Sequence, residues 1–198
     1  MSTKLRVTKS LLDSWLYSFK RDDGYEDFLC TLRREKKPPT EAMLNGVRYE
    51  NCLNAVLNGE QIPEDHEWKF PITEMSQELW GAQQQVVLFQ DIEVDGQPTL
   101  LHGVLDYLRA GVIWDCKFSK TYHLNKYYWD YTTQTAMYFA LVPEARMFRY
   151  IISDGKYVYR ETYPRDIVPG IEIPIRQFLS YLKKHDLYDI YVEHWKVN

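Results

Sequence analysis

Cysteine is scarce. Cys30, Cys52 and Cys116 are too few and too far apart to build a disulfide framework, or a four-thiolate zinc or iron–sulfur centre, from this chain alone. Long apolar runs are missing too. Nothing approaches the roughly 18 residues a membrane span needs, and residues 1–13 are polar without a signal-peptide stretch. The expectation is a cytoplasmic protein with no membrane partner. Four familiar patterns are absent: Gly-x-x-x-x-Gly-Lys-Ser/Thr, Gly-x-Gly-x-x-Gly, His-Glu-x-x-His and Gly-x-Ser-x-Gly. Nucleotide-driven motors and dinucleotide enzymes drop out with them. The five histidines show no ligand spacing, and no repeat, low-complexity tract or linker interrupts the chain.

What is present suits one packed domain over residues 1–198. Apolar residues make up 45% and aromatics 15%, including 16 Tyr and 6 Trp, which excludes disorder. The formal charge of −4 argues against a protein that coats nucleic acid generally. It leaves room for a local basic groove.

Periodicity sets out the elements. Thr8 predicts an N-cap for a helix over 9–20, followed by a short helix over 25–34. A third helix, 41–57, carries Met43, Val47, Glu50, Leu53 and Leu57 on one stripe, so a carboxylate sits among apolar residues. Short β-rich runs are predicted over 68–72, 85–94, 100–108 and 111–118, turning at Asp95-Gly96 and Ala110-Gly111. A long aromatic helix over 126–141, a hairpin over 147–163 and a helix over 174–184 follow. Residues 188–198 read equally as strand or helix.

The chemistry concentrates in Gly103-Val104-Leu105-Asp106, a turn, and Trp114-Asp115-Cys116-Lys117-Phe118. Strand alternation puts Asp115 and Lys117 on one face, with Trp114, Cys116 and Phe118 on the other. If Ala110-Gly111 is a two-residue loop, Arg109 pairs with Val112 and Asp106 lands opposite Asp115, about 5 Å away at Cβ. A three-residue loop would send one aspartate to the other face. Like charges so placed are destabilising, and a hard divalent cation such as Mg²⁺, which takes one or two carboxylates, is an economical offset. The plainer reading is an exposed edge hairpin with solvated acids. Glu50 has a plain reading too, at the stripe's edge in water. Gln134 and Tyr138, one turn apart, are either hydrogen-bond donors to a ligand or part of a core-facing stripe.

Taken in chain order, these features resemble the PD-(D/E)xK nuclease superfamily, in its RecB-like and lambda-exonuclease-like branch, over residues 46–138. The matching pieces are Gly46-Val47-Arg48-Tyr49-Glu50, Gly103-Val104-Leu105-Asp106, Asp115-Cys116-Lys117 and Gln134-Thr135-Ala136-Met137-Tyr138. The third has Asp115 where many members have Glu. The resemblance implies an α/β (α+β) fold, a central mixed sheet flanked by helices with a restriction-endonuclease-like core. It further implies a Mg²⁺- or Mn²⁺-dependent DNA nuclease, an exonuclease or end-processing enzyme of phage or bacterial recombination or repair. Asp106 and Asp115 would be metal ligands with the backbone carbonyl of Cys116, and Glu50 would bind directly or through water. Lys117 would orient or activate water, while Gln134 and Tyr138 would steady the site and contact the DNA backbone. Members with an iron–sulfur cluster carry three cysteines near the C-terminus; none follows Cys116 here, so no cluster is expected. DNA is the implied partner, together with a homo-oligomer or a recombination or helicase protein. Lys117, Lys120, His123, Lys126, Lys4, Arg6 and Lys9 are candidates to line its path, with Tyr122, Tyr127, Tyr128 and Trp129 interleaved. The alternative is a catalytically inactive nuclease-fold module that binds DNA or a nucleoprotein partner.

Overall fold

Side chains of residues 97–109 alternate between the interior and more open surroundings, and this stretch forms the longest strand of the sheet. The computed structural model describes residues 3–197, so Met1, Ser2 and Asn198, at the ends of the expected opening and closing segments, lie outside it. In chain order the elements are β1 (Leu5–Thr8), α1 (Lys9–Tyr17), α2 (Gly24–Leu32), α3 (Glu41–Leu57) and α4 (Lys69–Leu79). Then come β2 (Gln83–Val94), β3 (Gln97–Arg109), β4 (Val112–Phe118), α5 (Gln134–Leu141), β5 (Met147–Ser153), β6 (Val158–Pro164), α6 (Glu172–Lys184) and α7 (Tyr188–Trp195). The result is an α+β fold, a mixed six-stranded sheet flanked by helices.

β3 is the hub of that sheet. It pairs antiparallel with β2 from Gln97–Val94 to Leu108–Gln83, around an Asp95-Gly96 turn in which both residues have positive φ. Its other edge is shared. β1 runs parallel along Thr99–His102, and β4 runs antiparallel along Tyr107–Arg109. Between those stretches, Gly103 to Asp106 have no strand neighbour on that edge among the described residues. Beyond β4 the sheet continues through a parallel β5 to an antiparallel β6.

Two cores flank the sheet. On one face Leu11, Leu12, Phe28, Leu101, Leu105, Met137, Phe148, Ile175, Phe178 and Tyr191 pack α1, α2, α5, α6 and α7 together. On the other, α3 and α4 bring Tyr49, Leu53, Ile72, Met75 and Leu79 against Tyr107, Trp114 and Ile151. Each fully buried large apolar side chain contributes about 1.5–3 kcal/mol. β3 therefore changes face between Leu105, in the first core, and Tyr107, in the second. Asp106 is the residue at the crossover.

Several expected elements are corrected. Residues 68–72 do not form a strand; they open α4, whose Ile72, Met75 and Leu79 are buried at helical spacings of three and four. The stripe on α3 is turned: Tyr49 and Leu53 are buried, while Met43 and Val47 are 60% and 55% exposed, so Glu50 lies on a flank and not within a buried stripe. Residues 126–133 are not α-helical and hold only a short 3-10 turn at Trp129–Tyr131. Glu161 takes the Tyr127 N–H there, and α5 starts only after Thr133. β1 was not foreseen, and 188–195 is helix.

The start of α5 is set from a distance. Asp13, a buried residue of α1, accepts hydrogen bonds from the Thr133 N–H at 2.7 Å, the Thr133 hydroxyl at 2.9 Å and the Thr132 hydroxyl at 2.8 Å. It does for α5 what an N-cap side chain does locally. Asp13→Ala would leave the buried Thr133 N–H unpaired at a cost of about 2 kcal/mol. Thermal unfolding of the variant should show a drop of about 4–8 °C in Tm.

Candidate active site

The stretch of β3 left open on one edge is where the polar side chains gather. Ala110 and Gly111, at φ 49 and 76, make the two-residue loop, and the pairs Arg109–Val112, Leu108–Ile113 and Tyr107–Trp114 follow in register. The same register places Asp106 opposite Asp115, but the ladder has stopped by then. In place of a backbone partner, the Cys116 N–H donates to Asp106 Oδ2 at 2.8 Å. A strand residue's N–H and C=O point to the same side, so the Cys116 carbonyl also faces Asp106. The Cys116 thiol points away into the second core.

Asp115 and Lys117 share a face of β4, as alternation requires. Asp115 is 2% exposed; its Oδ1 accepts from the Gln134 amide of α5, and its Oδ2 meets the Lys117 ammonium without a well-aligned hydrogen bond. Lys117 also lies 5.9 Å from the Tyr150 ring centre. Tyr138, one turn after Gln134, donates to the Val104 carbonyl at 2.8 Å, in the stretch of β3 that has neither β1 nor β4 beside it. α5 approaches closely enough for this because Gly103 has no side chain: a Cβ there would stand 2.6 Å from Leu141 and 3.0 Å from Tyr138. Gln134 and Tyr138, 3% and 7% exposed, thus hold Asp115 and β3 and present little surface to a DNA backbone.

The acids feel one another. Burial raises the Asp106 carboxyl well above the ordinary aspartate value, and the Asp115 charge adds to it. Glu50 is raised in the same order, by burial and then by Asp115. Burial opposes the charge on Lys117, but Asp115 and Asp106 outweigh it and hold the ammonium above the usual lysine value. Lys117 is therefore a fixed cation near neutral pH.

Sequence reasoning missed Gln85. Its amide donates to Glu50 Oε1 at 2.6 Å, tying α3 to the sheet. It falls between the pairs Gln84–Tyr107 and Val86–Leu105, across from Asp106, and has φ 49 in mid-strand. Such left-handed conformations in residues other than glycine concentrate at functional sites. The polar run Gln83-Gln84-Gln85 at the head of an apolar strand was the available signal. Asp13 and Glu161 were missed as well. Glu161 is buried and accepts from the Tyr122 and Tyr163 hydroxyls and the Tyr127 N–H, anchoring the segment after β4.

A cleft of about 480 Å³ opens beside the site, lined by Asn45 of α3 and by Phe118, Lys120, Lys126 and Tyr127. Lys120 and His123 are exposed, and Lys126 donates to the Ser119 hydroxyl at 2.6 Å. Of the expected basic residues near the N-terminus, Lys4 pairs with Asp91 at 2.9 Å and Lys9 with Asp13 at 3.6 Å. The Trp129 side chain lies outside what is described. Among the described residues, no three His, Cys, Asp or Glu side chains form a ready-made cation cage, and no helix is long and apolar enough to cross a membrane. The donors present still suit a hard cation that keeps most of its waters: two neighbouring carboxylates, a carbonyl on the Asp106 side of β4, and a buried Asp115 oxygen lacking an aligned donor.

No protein-family model matches the chain, and no curated protein matches it either. Among solved structures, one titled "Crystal structure of SSO0001" is similar in fold, with a TM-score of 0.55 at 12% identity over 91% of this chain and 78% of that one.

The raised Asp106 carboxyl has a measurable consequence in metal-free buffer. Below the unfolded-state pKa, near 4, both folded and unfolded chains hold the proton, and Asp106 leaves stability unchanged. As pH rises past that value the unfolded chain releases its proton first, so stability falls until the pH passes the folded-state pKa. Asp106→Asn keeps an acceptor for the Cys116 N–H and removes this loss. Denaturant melts with a chelator present should show the variant more stable than the wild type at pH 7 and the gap shrinking toward pH 4.

Proposed function

We propose that the chain is a Mg²⁺-dependent deoxyribonuclease that hydrolyses phosphodiester bonds, acting on DNA ends in phage or bacterial recombination or repair in the cytoplasm. One observation carries the reading: Asp106 and Asp115 from adjacent strands, Glu50 from α3 and the Lys117 ammonium converge where β3 lacks a neighbour. Asp106, Asp115 and the Cys116 carbonyl would hold the cation, with Glu50 at its margin. When bound there, it supplies Lewis-acid polarisation of the phosphodiester.

The chain's own groups do the rest. Lys117 remains protonated, so it donates hydrogen bonds to a water or a phosphoryl oxygen and stabilises the negative charge that develops during hydrolysis. It is better suited to that role than to removing a proton. Gln134 fixes Oδ1 of Asp115 and leaves Oδ2 toward Lys117. Gln85 fixes one oxygen of Glu50, and the raised pKa of Glu50 lets it hold or accept a proton near neutral pH better than an ordinary glutamate. The exonuclease or end-processing mode, and any homo-oligomer or helicase partner, come from the family resemblance.

The lack of a three-ligand cage among the described residues favours a second reading, an inactive module of the same fold that binds DNA or a nucleoprotein partner. Digestion of linear and of covalently closed circular DNA, with Mg²⁺ or Mn²⁺ and with a chelator, separates the two. The nuclease reading expects chelator-sensitive loss of linear DNA, with Asp106→Ala and Lys117→Ala each slower by on the order of 10²-fold or more. Linear DNA left intact with both metals would remove it.

A further inference from the structure

Among the described residues, no helix covers a strip of the sheet beside the acids. On β2, Val87 and Phe89 are each 54% exposed, and they lie on the same face as Gln85. Their partners on β3 are Val104 and His102, two and four residues before Asp106. The first core occupies the opposite face, through Val86, Leu88, Leu101 and Leu105. The second core begins only at Tyr107. The strip therefore runs along open sheet to Gln85 and Asp106, on the Glu50 side of the candidate active site.

Two features mark it as more than uncovered surface. The Phe89 and His102 rings are stacked, with centres 4.6 Å apart and planes 7° apart. Burial, and then the nearby Arg6 charge, lower the His102 pKa, so that ring is neutral at pH 7. Arg6 itself, on β1 beside Leu100, pairs with no acid among the described residues, and its buried Nε has no hydrogen-bond partner. Buried donors of that kind are uncommon in folded proteins. Neighbouring Lys4 and Lys9, by contrast, are both neutralised by aspartates.

A flat π-face, a stacked ring behind it and one unneutralised guanidinium suit a single nucleic-acid strand. A duplex bound through its phosphates would call for a row of cations. Stacking on an aromatic side chain accepts any base. Phe89 is four residues from Gln85, about 13 Å along the strand, so one extended strand can touch the ring and reach the acids.

We infer that this strip is a nucleotide subsite: a base of single-stranded DNA continues the His102–Phe89 stack on the exposed face of Phe89, and Arg6 takes a neighbouring phosphate. The strand would then lead along Val87 and Val104 to Asp106. The inference rests on the nuclease reading above and adds to it the form of DNA end the site takes, one with an unpaired strand.

The test uses the full chain and a fluorescein-labelled oligo(dT), with Mg²⁺ for cleavage and with Ca²⁺ for binding by fluorescence anisotropy. Phe89→Ala should weaken binding roughly tenfold, and Phe89→Trp should restore it. Arg6→Ala should reduce the slope of log affinity against log salt concentration by about 1. If the wild type cleaves but Phe89→Ala and Arg6→Ala bind as it does, the subsite is wrong and the nuclease reading stands. If the wild type neither cleaves nor binds, both fall. Sedimentation supplies the remaining outcome: a wild-type dimer that Phe89→Ala disperses would assign the strip to a second copy of the chain and overturn the inference.

Discussion

Asp106 and Asp115 sit on strands that are hydrogen-bonded neighbours at the turn and apart three residues later, and most of the surrounding structure accommodates the repulsion between them. Carboxylates brought together away from water are costly unless each oxygen finds a donor or a cation. The Cys116 N–H, the Gln134 amide and the Lys117 ammonium each answer part of that demand. Raised pKa values on Asp106 and Glu50 show that the demand is not fully met. Groups left in that condition are what a bound cation would relieve, and perturbed acids of this kind gather at functional sites.

Because Gln134 and Tyr138 touch both the acid and the open stretch of β3, the placement of α5 decides the geometry. A helix of eight residues does not hold itself in place. Asp13 gathers the donors at its start, and the Arg165 guanidinium donates to the Phe139, Val142 and Ala145 carbonyls around its end. Negative charge at the first turn and positive charge at the last suit the helix dipole. Gly103 lets the helix settle onto β3, and Glu161 gathers the segment that leads into it.

How much of this could be read from residues alone depends on how local each cause is. The Ala110-Gly111 turn fixed the β3–β4 register, and alternation then put Asp115 beside Lys117 without further help. The mixed sheet flanked by helices was also within reach. The end of the ladder after Tyr107–Trp114 was not, because it depends on where β1 arrives and on how α5 packs. Nor was the late start of α5, which is set by an aspartate 120 residues earlier. On α3, the stripe through Met43, Val47 and Glu50 satisfied helical spacing, but spacing does not say which part of a helix the sheet covers. Gln85 was hidden for a similar reason: its role follows from a backbone angle and a partner on another element.

Thr8 has a consequence out of proportion to its chemistry. It is the last residue of β1, paired with His102, and its hydroxyl accepts the Leu11 N–H that opens α1. A first strand longer by two residues would reach Val104, zip against the bare margin of β3 and take the carbonyl that Tyr138 now occupies. The width of the gap along β3 is thus governed by the point at which the chain stops being extended and begins to coil.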